Sequence, residues 1–303
     1  MTNEEQDQLM GKVSQGWMRA AERASSFTVL VDARKRLPAS GVAYSSSLII
    51  TADHVVEREE NIRVLLADGS VHSASLAGRD PANDLALLRL EDEHLTPAQL
   101  AEGEGRVGQP ALTVARPTPD GIEVGWALIS AIGGPVRTLR GGLLRRYFRL
   151  DATPYPGFSG GALIDLNGRL LGINTSGLAG GTFLSIPVSI AWEIGGVLAQ
   201  HGRIRRGYLG IRSQPVEIPP ALQQVLKRTQ ERGLLLVGVE EGTPAAQAGL
   251  LVGDILAALN GQPLNDPEEL VTVLTADVVG KAVTLELLRG GQRVEKQVTV
   301  GER

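Results

Sequence analysis

At 303 residues the chain is long enough for roughly two or three domains. Hydrophobic residues make up 43% and charged residues 21%, the balance of an ordinary globular protein, and a formal net charge of −4 gives no reason to expect a nucleic-acid partner. There is no cysteine, which excludes disulfides, Cys-ligated zinc and thiol catalysis together.

The chain opens MTNEEQDQLMGK. Glu4, Glu5 and Asp7 stand where a signal peptide carries Lys or Arg, and no apolar core follows. A cytoplasmic location is therefore preferred over an exported form whose leader has been removed. No run approaches the ~18 apolar residues of a membrane span, so none is expected. Within residues 4–24, Leu9, Val13, Trp17 and Ala20 or Ala21 recur at helical spacing, predicting a short N-terminal helix over residues 1–25. From Phe27 to about Pro187 the pattern becomes short β-rich runs, among them FTVLV, GVAYSSSLIIT, LALLRL and RLLGINT, with turn clusters such as ADGS, TPDG and LNGR between them. Many short strands with no helix fit for a crossover predict an all-β barrel or sandwich. SIAWEIGGVLAQHG reads as a closing helix stopped at Gly202, giving a β domain over residues 26–202. Residues 203–303 mix strands with two helical pieces, TPAAQAGL and DPEELVTVLTA. In the second, Asp266 is the N-cap, Pro267 opens the first turn and Glu269 is placed for a capping box. That is a small, separate α+β module.

The stretch TPYPGFSGGALID, residues 153–165, is either a plain Gly/Pro loop or a tight turn that presents Ser159 as a nucleophile. A nucleophilic Ser needs a base. His72 reads as part of a solvated strand face, His94 as part of a charged loop, and His201 as a helix end. His54 differs, standing at the end of the apolar strand LIITADHVV. Asp84 opens the apolar run LALLRL and is the candidate carboxylate, whereas Asp80, before a Pro, fits a turn.

TADHVV, DLALL and GFSGGAL, in this order and at these intervals, resemble the chymotrypsin-like serine proteases, and more narrowly the HtrA/Deg (high-temperature-requirement) family. GWALISAI, LLGINT and SIPVSI resemble that family's strands around the nucleophile. The resemblance implies a chymotrypsin-like double β-barrel followed by a PDZ domain. It implies a serine endopeptidase of protein quality control that cleaves unfolded or misfolded polypeptides, with Ser159 as nucleophile, His54 as base and Asp84 orienting the imidazole. The main-chain N–H groups of Gly157 and Ser159 would form the oxyanion hole. Thr153, six residues before Ser159, replaces the Asp of trypsin-like digestive enzymes, so small or medium apolar side chains are expected at the cleavage point. Asn174, Thr175 and Ser176 are expected in the pocket wall. RGYLGI resembles a PDZ carboxylate-binding loop. There Tyr208, Leu209, Gly210 and Ile211, with Leu270 and Leu274, would take a C-terminal peptide as an added strand.

The family also implies a homotrimer built through the N-terminal part. With no Cys, scattered His residues and no HExxH, no metal or cofactor is expected. Two departures stand out: Phe158 where the family has Asn, and Ala162 where it has Pro. Phe158 either packs against the barrel or biases the oxyanion loop towards an inactive form. The five Arg residues between 137 and 149 predict a hairpin with a solvated cationic face. The rival readings are a non-catalytic peptide-binding scaffold and a holding chaperone.

Overall fold

The computed structural model describes residues 2–138, 143–178, 180 and 182–302. Arg140 and part of the glycine-rich stretch after Ser176 lie outside them. The chain divides into two units, residues 1–204 and 205–303.

The first unit opens with helix α1 (Asn3–Phe27), whose N-cap Thr2 and Glu5 form a reciprocal capping box. Only its C-terminal half is buried, through Ala20, Ala24 and Phe27. Leu9 and Val13, which the helical spacing places on one face, stay exposed, as does Met10. Six strands follow: β1 (Thr28–Asp32), β2 (Ala39–Ala43), β3 (Leu48–Thr51), β4 (Ile62–Leu65), β5 (Val71–Asp80) and β6 (Leu85–Leu90). They close into a barrel in the order β1-β2-β3-β6-β5-β4. β3 is buried at every position and β6 at all but one, so both faces of these apolar strands are covered.

A second barrel is built from β7 (Pro110–Thr118) and β8 (Gly121–Gly133), then, after the short hairpin of β9 (Val136–Arg137) and β10 (Leu143–Leu144), from β11 (Tyr147–Leu150), β12 (Ala162–Ile164), β13 (Leu170–Thr175) and β14 (Leu184–Pro187). It closes as β11-β14-β13-β12-β7-β8. Among the described arginines of this stretch, Arg145 pairs with Glu193 and Arg146 with Glu104, and both side chains stay solvent-exposed. Helix α2 (Val188–His201) ends on Gly202 in the left-handed conformation, φ 73°, where glycine carries no Cβ penalty.

The second unit carries a sheet in the order β16-β17-β18-β20-β21. Its elements are β15 (Gly207–Tyr208), β16 (Ile211–Glu217), α3 (Pro220–Leu226), β17 (Arg232–Val239), α4 (Pro244–Gln247), β18 (Ile255–Leu259), β19 (Gln262–Pro263), α5 (Pro267–Val273), β20 (Ala282–Arg289), β21 (Gln292–Thr299) and β22 (Gly301–Glu302). Asp266 caps α5 by accepting from Glu268 N–H, but the Glu269 carboxylate reaches back to Asn265 N–H, not to Asp266, so the expected capping box is displaced by one residue.

Candidate active site

β3 runs out at Thr51, and a single 3₁₀ turn, Asp53–Val55, turns the chain so that His54 emerges partly exposed at the barrel rim. The turn before β6 brings Asp84 beneath it. Asp84 is fully buried and adopts the left-handed conformation, φ 55°, an unusual state that Asp tolerates better than most residues. Its carboxylate is occupied on every side. Oδ1 accepts the His54 main-chain N–H at 2.8 Å. Oδ2 lies 2.8 Å from His54 Nδ1 and also accepts the Thr175 hydroxyl. An ionised carboxylate only accepts, so the proton sits on Nδ1 and Nε2 is left as a base.

Ser159 follows a turn closed by Phe158 N–H donating to Tyr155 O at 3.2 Å, with Pro156 and Gly157 at its centre. Gly157 has φ 87°, as the third position of a type II turn demands, and a Cβ there would lie 2.4 Å from Pro117. The next glycines are equally constrained: a Cβ on Gly160 would lie 2.1 Å from Ser40 O, and one on Gly161 2.4 Å from Val114 O. Among the described residues, the N–H groups of Gly157 and Ser159 donate no hydrogen bond within the chain. Such unpaired amides on one tight turn are what an oxyanion needs.

Two contacts bracket Ser159 against His54. Ser176 Oγ lies 3.2 Å from Ser159 Oγ, and at the adjacent Gly177 a Cβ would stand 2.5 Å from His54 Nδ1. On the other side, Gly160 abuts Thr51 and Ala52, just ahead of His54. Among the described residues, the hydrogen bond of the Ser159 hydroxyl is with Ser176, not with His54.

Phe158 is buried in the second barrel with Ala111, Ala127, Phe148 and Leu163, so of its two expected behaviours packing is the one observed. The pocket expectations need correction. Thr175 directs its hydroxyl at Asp84, and Asn174 donates Nδ2 to Ala162 O, so these two lend a pocket only main chain. Thr153 is exposed. Ser176 alone of the expected wall has its side chain at Ser159. Local sequence carried no signal for Thr175 as the partner of Asp84, because the two are 91 residues apart. Of the other histidines, His72 and His94 stack on each other with ring centroids 4.4 Å apart.

In the second unit, β16 is an edge strand, and α5 packs beside it. The N–H groups of Leu209 and Gly210 donate to nothing among the described residues. Gly210 has φ 82° and no room for a Cβ, which would fall 2.2 Å from Thr243. The Tyr208 hydroxyl donates to Glu240 at 2.5 Å. Leu270 and Leu274 are largely buried in the core with Leu209, while Ile211 is half-buried at its edge.

Residues 39–173 match a trypsin-like peptidase domain and residues 207–300 a PDZ domain. The chain is 35% identical over 270 residues to the periplasmic pH-dependent serine endoprotease DegQ of Escherichia coli, covering 86% of this chain and 58% of DegQ. It is 33% identical over 257 residues to periplasmic serine endoprotease DegP of the same organism, covering 81% of this chain and 52% of DegP. It thus spans a little over half the length of these curated relatives. Among solved structures, the serine endoprotease from Yersinia pestis superposes with a TM-score of 0.79 at 30% identity, covering 95% of this chain and 98% of that one. The HtrA-type protease AlgW with tripeptide does so with a TM-score of 0.76 at 31% identity, covering 95% and 97%. The relatives are named as periplasmic proteins, which overturns the cytoplasmic location expected from the acidic N-terminus. The physical reason is that those residues belong to α1, where Glu5 serves as capping partner of Thr2, so their charge reports on a folded helix and not on transport. The two barrels with their PDZ unit, the matched domains and the relatives together establish that the chain belongs to the HtrA/Deg family of trypsin-like serine proteases.

Proposed function

We propose that the chain is a periplasmic serine endopeptidase that cleaves unfolded polypeptides, with Ser159 as nucleophile, His54 as base and Asp84 as its orienting carboxylate. The carrying observation is the fully buried Asp84 holding His54 Nδ1 at 2.8 Å in the same site as Ser159. A rotation of Ser159 about χ1 transfers its hydroxyl from Ser176 to His54 Nε2; such bonds commonly tighten only with substrate in place. Ser159 Oγ then attacks the scissile carbonyl carbon while Nε2 takes its proton. The oxyanion is met by the N–H groups of Gly157 and Ser159, and the imidazolium returns the proton to the leaving amine. Water repeats the cycle on the acyl-enzyme. With a small residue, Ser176, beside Ser159, the preferred side chain at the cleavage point is small or medium and apolar.

The PDZ unit supports a second role, capture of C-terminal peptides. The edge strand β16 offers unpaired main chain, and the free amides of Leu209 and Gly210 suit a terminal carboxylate. The exposed Leu9, Met10 and Val13 of α1, with Trp17 set 4.7 Å from the half-exposed Trp126, support self-association through the N-terminal part as a homotrimer. The observation that favours the non-catalytic scaffold instead is the Ser159–Ser176 hydrogen bond. Degradation of reduced, unfolded casein separates the two readings. The hydrolase reading expects turnover that disappears in Ser159→Ala; a wild-type chain that leaves casein intact supports the scaffold.

A further inference from the structure

We propose that Ser40 and Arg116 are positioning residues that tie the oxyanion loop to the C-terminal end of helix α1, so that the seating of this helix sets the loop's geometry.

Ser40 lies in β2, fully buried, and all of its polar groups are engaged. Its hydroxyl donates to Gly157 O at 2.8 Å. Its main-chain N–H donates to Ser159 O at 3.2 Å. These two carbonyls flank Phe158, so one residue of the first barrel grips the turn on both sides of its buried anchor. Ser40 O is itself held by the Thr51 hydroxyl at 2.7 Å. The hydroxyl of Ser40 has one proton, committed to Gly157, and its lone pairs accept Arg116 N–H at 2.8 Å, which fixes its rotamer.

Arg116 turns this clamp into a connection. Its side chain is 4% exposed, yet no carboxylate pairs with it among the described residues. The guanidinium instead donates from Nε to Thr28 O at 2.9 Å and from Nη2 to Ser25 O at 3.2 Å and Ser25 Oγ at 2.9 Å. Ser25 belongs to the last turn of α1 and Thr28 is its C-cap, so the cation sits where a helix leaves carbonyls unpaired and its dipole is negative. The seat is demanding, since a buried cation without its acceptors is costly. Burial already holds the guanidinium below its ordinary basicity. Losing the helix end would strand Arg116, and the same piece of main chain forms the wall of the oxyanion loop. Pro117 is the residue against which a Cβ on Gly157 would collide, at 2.4 Å. The path from Ser25 through Arg116 and Ser40 to Gly157 is therefore continuous hydrogen bonding and contact, without a solvent-exposed gap.

The kinetic consequence rests on the hydrolase reading, but the structural one does not. Arg116→Met and Ser40→Ala in the full chain are compared with wild type by amide hydrogen exchange of the 154–161 segment and by kcat and KM on a peptide substrate. Exchange in that segment is expected to rise roughly tenfold while β12 and β13 stay protected, and kcat to fall about tenfold with KM within about twofold. Arg116→Lys, which keeps a donor for the helix carbonyls, recovers part of both. Should either variant fail to fold, Ser25→Ala, at a half-buried helix end, gives the same changes at smaller amplitude. Wild-type exchange at 154–161 in the folded variants overturns the coupling, as does a loss of kcat that follows only the fall in Tm. A wild-type chain without hydrolysis sinks the hydrolase reading alone, and the exchange comparison still decides the coupling.

Discussion

Asp84 holds His54 at two points: Oδ1 takes the main-chain N–H and Oδ2 faces ring Nδ1, both at 2.8 Å. The first contact fixes the backbone of the 3₁₀ turn, and the second fixes ring orientation and tautomer. In Asp84→Asn the amide NH₂ either opposes the His54 main-chain N–H, donor against donor, or faces ring Nδ1, where it selects the tautomer with the proton on Nε2 and leaves Ser159 without a base. We expect kcat to drop by roughly 10⁴-fold with little change in fold. Peptide hydrolysis beside a circular dichroism melt checks this; activity within about tenfold of wild type would mean that Asp84 does not set the tautomer.

Gly177 packs directly against the imidazole. A Cβ at this position would lie 2.5 Å from His54 Nδ1 and 2.9 Å from Asp84 Oδ2, closer than van der Waals contact allows. Gly177→Ala is expected to displace the ring and lower kcat at least a hundredfold, consistent with the cost of a misplacement of about 1 Å. Unchanged turnover in this variant would show that the ring tolerates the shift.

The barrels were legible because their strands carry long apolar runs such as LIIT and LALLRL, and His54 and Asp84 because each stands at the boundary of such a run. Other polar contacts of the site were not: Ser40 meets Gly157 across 117 residues and Thr175 meets Asp84 across 91, and one hydroxyl on a buried strand leaves no periodic signature. The face of Leu9 and Val13 was legible as helical, but its period says nothing about whether this chain supplies what packs on it.

In the PDZ unit Asp254 is 1% exposed and receives both Nε and Nη2 of Arg289 at 2.7 Å, and the Leu251 N–H at 2.8 Å. Burial alone would raise its pKa, but the bonds from Arg289 and Leu251 outweigh it and hold the carboxyl below the usual range. A depressed folded-state pKa means that this contribution is present above the unfolded value of about 4 and is lost as pH falls through the folded one. Asp254→Asn should cost about 2 kcal/mol near neutral pH. Urea unfolding of both chains between neutral and acid pH should show the gap narrowing below about pH 4; a gap independent of pH would contradict the assignment.

The free amides of Leu209 and Gly210 predict that a peptide ending in an apolar residue binds through its carboxylate. Amidating that carboxylate removes the charge the loop receives, and affinity should fall by at least about tenfold in a fluorescence anisotropy titration. Equal binding of acid and amide forms would leave the edge strand without its terminal anchor.

The most direct test of the central claim is to treat the chain with a fluorophosphonate and map the adduct by mass spectrometry, with His54→Ala as control. The account predicts a single phosphonylated residue, Ser159, whose labelling rate collapses when His54 is removed. An unlabelled Ser159 in folded wild-type protein, or labelling indifferent to His54, would contradict it.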